Sequence, residues 1–231
     1  MLINNVDIAN YGAKLLKKSI DIPELKSSVE YLRSGNKPIK LFQKFQAKKI
    51  TIEVYITGSN IQNVMEKMSS LSRQLMECTI KFKDMDFYYD AILTNAKYEK
   101  SVRKDKVRVI YEFISGYGYK PMITVTANRI YSKTVVVDGN IETPAIIEIT
   151  PSANIIDMTI TGFGSIFTMK NLTAGQKIII DGEDRIVTQN GINKFADFEA
   201  FEFPKLQTGS NTLAFSKNTC DITIKYKPKS I

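Results

Sequence analysis

The chain has 231 residues, 43% hydrophobic and 24% charged, enough for one large or two small folded domains and incompatible with wholesale disorder. With no histidine and no tryptophan, Ser-His-Asp and Cys-His catalysis and imidazole-based zinc sites are excluded, and the composition leans away from an enzyme. Lys+Arg 32 against Asp+Glu 24 leaves +8, a bias toward nucleic acid, an anionic surface or an acidic protein, with a lysine-rich solvated surface as the plainer reading.

The opening MLINNVDIAN lacks a basic patch followed by an apolar stretch, so no secretory signal is expected. No apolar run reaches the roughly 18–20 residues that a membrane-crossing helix needs. Leu2 to Val6 reads as a short edge strand. Residues 14–49 mix lysines with isolated apolar residues around a Ser34-Gly35-Asn36-Lys37-Pro38 turn cluster, and read as loops and arms around short strands. Ile50 to Thr57 alternates Ile50, Ile52, Val54 and Ile56 against polar neighbours, a strand with one buried face that Gly58 ends. Ser59 or Asn60 then offers a helix N-cap, with Gln62 placed as in a capping box after Ser59. Ile61, Val64, Met65, Met68, Leu71 and Leu75 recur at helical spacing as far as about Met76. They predict one apolar stripe packed on a sheet.

Strands are expected at Cys78 to Lys83, Phe87 to Ala96 and Val107 to Ser115. Cys78 and Cys220 are too few for a disulfide framework and fit a reducing compartment. Between the second and third of these strands, Lys97, Lys100, Arg103, Lys104 and Lys106 form the basic tip of a long hairpin. With Tyr98 beside it, that tip suits phosphate contact, an inter-subunit arm or a solvated loop guarding a sheet edge; the last two are favoured.

Past Gly116 to Pro121 the strands become short and regular. They are expected at 123–127, 134–138, 145–150, 155–161, 165–169, 177–181, 185–189, 211–215 and 220–226, with hairpin dipeptides Asp138-Gly139, Asp181-Gly182 and Asn190-Gly191. This spacing, without a second helical stripe, predicts a β-sandwich. The domains are therefore read as 1–130 and 131–231. Asp181, Glu183 and Asp184, and likewise Asp197, Glu199 and Glu202, lack the spacing of a calcium loop. They are read as turn and surface residues, the second set around Phe198, Phe201 and Phe203. No cofactor or metal is expected.

Three stretches in order carry a family resemblance. ITIEVYITG leads through the amphipathic helix into CTIKFKDMDFYYDAILTNA. DGNIETPAIIEITPSANIIDMTITGFGSIFTMKNLTAGQKIIIDGEDRIVTQNG comes next, and FPKLQTGSNTLAFSKNTCDITIKYKP closes the chain, with Phe203-Pro204, Leu206, Gly209 and Asn211 setting the last turn. Together they resemble the distal tail protein (Dit) family of long-tailed, siphovirus-type bacteriophages and prophages. The resemblance implies a mainly β chain of two domains. The first is a sandwich-like sheet with one helix and a long hairpin, forming a hexameric ring. The second is a galectin-like sandwich that faces outward and docks other parts. It implies a structural, non-enzymatic hub of the tail tip, located in the virion and made in the bacterial host cytoplasm. Its partners would be its own copies, the tail tube protein, a tail-tip hub or tail-associated protein and receptor-binding proteins. No membrane is involved, and nucleic acid enters only as DNA passing through the ring. The chain is too short for the sugar-binding insertion that some members carry.

Candidate subunit-interface or lumen residues are Arg33, Lys37, Lys40, Lys44, Lys97, Lys100, Arg103, Lys104 and Lys106. The alternatives from other classes are a carbohydrate-binding module, which would rely on Tyr or Phe in the absence of Trp, and a nucleic-acid binder using the basic tip.

Overall fold

The computed structural model describes residues 1–31, 35, 37–99 and 105–231. Contacts divide the chain into two units, Met1–Gly118 with Ile231, and Tyr119–Ser230.

The first unit contains β1 (Leu2–Ile3), β2 (Val6–Asp7), β3 (Ala13–Ile20), β4 (Leu25–Tyr31), β5 (Pro38–Phe45), β6 (Lys48–Thr57), α1 (Ile61–Leu75), β7 (Glu77–Lys81), β8 (Tyr88–Glu99) and β9 (Lys106–Tyr119). Seven of the strands run in the order β2-β1-β7-β8-β9-β6-β3 in an eight-stranded sheet whose remaining strand, Lys229–Ser230, pairs with β9, while β4 and β5 pair only with each other. The alternation in β6 has the expected consequence. Ile50, Ile52, Val54 and Ile56 are buried and stand directly opposite Phe113, Tyr111, Val109 and Val107 of β9. Cross-strand pairs of branched and aromatic side chains of this kind are the unit of sheet stability.

Helix α1 covers this core with Val64, Leu71 and Leu75, and Met68 is partly buried against it. Ser72 Oγ and Tyr111 OH are 2.9 Å apart, so the buried phenol keeps a hydrogen-bond partner under the helix. The helix start is fixed by Asn60, whose side-chain oxygen accepts from the Asn63 backbone N–H at 2.9 Å. Ser59 is not the cap. Its own N–H donates to the Asn63 side chain at 3.4 Å, and Gln62 donates to Glu66 rather than closing a capping box.

The second unit contains β10 (Ile123–Thr126), β11 (Ser132–Val137), β12 (Thr143–Pro151), β13 (Ile155–Thr161), β14 (Phe167–Leu172), β15 (Ile178–Asp181), β16 (Ile186–Gln189), β17 (Ile192–Asn193), β18 (Phe198–Ala200), β19 (Lys205–Leu206), β20 (Gly209–Phe215) and β21 (Cys220–Tyr226). One sheet runs β10-β21-β12-β15-β16-β17, with β19 on the start of β12, and the other runs β11-β20-β13-β14-β18. Inward residues of both, among them Ile147, Ile149, Ile178, Ile222 and Ile224 from one and Met158, Ile160, Phe167, Met169 and Leu213 from the other, make a single core. Cys220 Sγ lies 3.6 Å from Met158 Sδ, bridging the two layers. This is the two-layer β-sandwich that the strand spacing predicts.

The strand at 123–126 settles where the units divide. The sequence reading ended the first domain at residue 130. Ile123–Thr126 pairs instead with Cys220–Tyr226 of the second unit, Ile123 opposite Tyr226 and Thr126 opposite Thr223, so the division falls at Gly118/Tyr119. Turn chemistry also differs among the hairpin dipeptides. Asn190 and Gly191 both adopt positive φ, 50° and 80°, as a tight two-residue hairpin requires. At Gly182 the requirement is room rather than φ, because a Cβ there would stand 2.2 Å from the Pro204 carbonyl oxygen.

Candidate assembly surfaces

The segment read as loops and arms is built of regular strands. β3 pairs with β6 through a bulge between Leu15 and Lys17. β4 and β5 form a hairpin in which Leu25 opposes Phe45, Ser27 opposes Gln43, Ser28 opposes Phe42 and Glu30 opposes Ile39, with a bulge between Ser28 and Val29. None of its residues is buried, and only Ser28 among Leu25–Tyr31 and none among Pro38–Phe45 falls short of the most exposed class. The apolar ones are many and large. Leu25, Val29, Tyr31, Ile39, Leu41, Phe42 and Phe45 are each between 43% and 68% exposed. Leu25, Val29 and Tyr31 share one face of β4 and Phe45 joins them across the hairpin, whereas Phe42 and Ile39 stand opposite residues of the other face. An isolated two-stranded hairpin is marginal in water, and this one has apolar side chains on both faces and, among the described residues, no third strand paired with it.

The basic candidates divide between two hairpins. Lys37, Lys40 and Lys44 are exposed on or beside β5, and Lys44 stands directly across from Lys26, a like-charge pair on the solvated hairpin. Arg33 lies outside the described residues. On the second hairpin, β8 and β9 run further than expected, to Glu99 and from Lys106. Lys97 is exposed near the end of β8. Lys106 does not project from the tip, because its Nζ sits 4.0 Å from the centre of the Tyr55 ring, a cation–π contact on the neighbouring strand. Lys100, Arg103 and Lys104 lie outside the described residues. Between the strands, Arg108 Nε is 2.7 Å from Glu53 and its NH1 group 3.1 Å from Glu99, and the guanidinium holds the Glu53 carboxyl below its ordinary range. This hairpin is tied by internal charge pairs, and none is seen among the described residues of β4–β5.

The helix stripe is narrower than its periodicity. Val64, Leu71 and Leu75 are buried, Met65 and Met68 are half-buried, and Ile61 is exposed. Ile61, in the first turn of α1, is 46% exposed and does not join the core.

The acidic groups prove to be structural. Asp181 Oδ1 accepts from the Glu183 and Asp184 N–H groups at 2.8 and 3.0 Å, closing its turn. Asp197 meets Asn171 at 2.7 Å and Lys194 at 2.9 Å, contacts that hold its carboxyl below the usual range. Glu199 pairs with Lys170, and Glu202 with Lys205 at 2.8 Å. Among the described residues no three Cys, Asp or Glu side chains converge as a metal site. Both cysteines are free and buried, and burial pushes their thiols up, Cys78 to about 12 and Cys220 to about 11. They are core residues.

The backbone of the whole chain superimposes on the hub protein Dit (gp 19.1) of phage SPP1, described as a paradigm of the hub adsorption apparatus in phages infecting Gram-positive hosts. The TM-score is 0.80, at 12% identity, over 100% of this chain and 98% of that one. Residues 138–229 match the family model of the siphovirus-type tail component, C-terminal domain. Those residues are similar to the C-terminal domain of the Dit family, and the fold of the whole chain is that of a Dit protein. Chains of the phage P2 baseplate in its activated conformation share the fold more distantly. The calcium form gives a TM-score of 0.53 at 11% identity and the strontium form 0.51 at 12%, each covering 95% of this chain and 92% of the other. No curated protein sequence matches at a significant level. The proteins that the chain resembles in fold are a phage hub protein and chains of a phage baseplate. The mainly β, two-unit architecture expected of a Dit protein is the one observed.

The apolar residues of β4–β5 were missed as functional candidates. The lysines drew attention, while Leu25, Val29, Tyr31 and Phe45 read as stray hydrophobics in a loop. The signal available was their number in a stretch with no buried counterpart.

Proposed function

We propose that this chain assembles head-to-tail with copies of itself into a closed six-membered ring at the tip of the phage tail. The ring joins the tail tube to the tip proteins, and the second unit of each copy faces outward to carry receptor-binding proteins. The observation that supports this reading is the β4–β5 hairpin, a ribbon that presents apolar side chains on both faces and has no support of its own. A ribbon of this kind is stable when a neighbouring molecule covers it. An arm on one copy that seats on a different surface of the next makes a heterologous contact, and such contacts close into rings when the rotation permits. Permanent rings bury roughly 2,000 Å² or more at each interface, and hairpin arms lengthen the reach of each copy. The exposed Lys26, Lys40 and Lys44 on the same hairpin favour a receiving surface that supplies carboxylates. The ring is assembled from chains made in the host cytoplasm and ends in the virion.

Light scattering with negative-stain imaging of the purified chain over a concentration series tests the reading. Rings of six, or monomers that convert to rings as concentration rises, are expected. A chain that stays monomeric at every concentration, alone and beside its tail-tube neighbour, refutes it.

A further inference from the structure

The β4–β5 hairpin leaves the first unit's sheet at its β3–β6 edge. Its base is fixed there by the Asp21 N–H on the Lys49 carbonyl at 2.9 Å and the Gln46 N–H on the Glu24 carbonyl at 2.8 Å. Toward the opposite side of the same sheet, four strand spacings or roughly 20 Å from β3, lies β7 with β8 beside it. A groove of about 300 Å³ runs across these two strands past Glu77, Thr79, Asp90 and Ile92. Glu77 stands opposite Ile92 and Thr79 opposite Asp90, so all four share the open face, while Cys78 and Ala91 turn into the core.

The groove is acidic and partly apolar. Ile92 is 53% exposed, and Met76, whose carbonyl accepts from the Leu93 N–H at 3.0 Å, is 64% exposed. Asp90 Oδ1 accepts from the Thr79 hydroxyl at 2.7 Å, which fixes that carboxyl. Glu77 is exposed and makes no ion pair among the described residues, whereas Asp7, Glu53, Asp84, Glu99 and Glu112 of the same unit each have a lysine or arginine partner. One face of the hairpin is its complement. Lys26 and Lys44 stand directly opposite each other there, a repelling pair, and the same face carries Ile39 and Phe42, 43% and 45% exposed. Glu30, opposite Ile39, pairs with neither lysine.

We propose that this face of the hairpin seats in the β7–β8 groove of the next copy, the lysine pair on the carboxylates of Glu77 and Asp90, and Ile39 and Phe42 against Ile92 and Met76; the contact rests on the ring proposed above and names its receiving surface. The spacing agrees. Directly opposite residues have Cβ atoms about 5 Å apart, whereas Glu77 and Asp90 are diagonal neighbours, about 7–8 Å apart. Two ammonium groups spread by their own repulsion therefore meet two carboxylates set slightly wider than the lysine backbones. The two surfaces differ and lie toward opposite sides of one sheet, so each copy gives a hairpin to one neighbour and takes one from the other. That is the head-to-tail step a closed ring repeats.

Sedimentation velocity of the full-length chain over a concentration series reads the contact, and the melting temperature at low concentration reports the fold. Glu77→Lys and Lys44→Glu are each expected to weaken ring formation roughly tenfold or more, because each brings like charges together. Neither should move the melting temperature, since both side chains are exposed in the single chain. Both substitutions in one chain are expected to recover most of the loss, because the reversed charges meet again. Ile92→Asp is expected to weaken the ring without recovery by Lys44→Glu. Lys26→Glu takes the place of Lys44→Glu if that variant melts early. Parent rings that both single reversals leave undiminished overturn the groove as the receiving surface while the ring stands, and so does a double variant as weak as its two parts combined. A parent chain that never assembles overturns the ring and this contact together.

Discussion

The sharpest test of the ring lies in the paired substitution Val29→Asp and Phe45→Asp. Both side chains are about half exposed, 51% and 44%, and both lie on the face of the β4–β5 hairpin that also carries Leu25 and Tyr31. Fully burying one such side chain contributes about 1.5–3 kcal/mol, so covering the remaining half of each yields about 1 kcal/mol, or about 2 kcal/mol for the pair. Aspartate removes that gain and brings a carboxylate into the contact, adding a desolvation penalty of about 1–3 kcal/mol for each group left without a partner. The sum is at least about 4 kcal/mol for each hairpin seated, a factor of roughly 1,000 in association. The monomer should not register the change, because neither side chain is buried within it. Sedimentation velocity over a concentration series would show the ring displaced to monomer, and thermal unfolding at low concentration would show an unchanged melting temperature. Rings of undiminished stability would refute the reasoning. So would a large drop in monomer stability, which would mean that the hairpin packs on its own chain.

The helix supports a contrasting pair. Leu75→Ala should cost about 2–5 kcal/mol in urea unfolding because Leu75 is fully buried under α1, whereas Ile61→Ala should cost less than about 0.5 kcal/mol. Equal effects would mean that the first turn of the helix is packed after all. The Glu148 carboxyl is held below its ordinary 4.5, first by its hydrogen bond to Lys225 and, against the opposing effect of burial, also by Lys177. A depressed carboxyl stabilises the fold above its unfolded pKa and loses that contribution as pH falls through the folded one. Comparing urea midpoints at neutral pH with those below pH 4.5 should therefore show a smaller acid loss in Glu148→Gln than in the parent. Cys78 and Cys220, with thiols pushed up to about 12 and about 11, should resist thiol reagents at pH 8 in the native chain and react at once in urea. Rapid native labelling would contradict their burial.

Most of the fold was legible in local pattern, and the exceptions share a cause. β6, β9, β12 and β21 each bury one face, so apolar and polar residues alternate along them and the strands are visible in the sequence. β4 and β5 bury neither face within the chain. LKSSVEY and PIKLFQKF carry no such alternation, and loops were the natural reading. The division of the chain was misplaced because the strand at 123–126 finds its partner about a hundred residues later, a pairing that local pattern does not encode. Ile61 extended the stripe on paper because a 3.6-residue period has no way of marking where the underlying sheet stops. Lys106 was assigned to the hairpin tip by charge alone, whereas the Tyr55 ring beside it draws it back.

The position of β21 has a consequence for how the molecule is made. In the first unit seven strands of the sheet lie in the leading 119 residues and only the two-residue strand Lys229–Ser230, paired with β9, comes at the end, so the rest of the sheet can pair while synthesis continues. In the second, Cys220–Tyr226 lies between β10 and β12, next to the edge of its layer, and β10 has no place in the sheet until it arrives. The ribosome must release nearly the whole polypeptide before the sandwich can shut. Most of the first unit's sheet can thus pair before the sandwich is complete, a delay inherent in placing a late-made strand between two earlier ones.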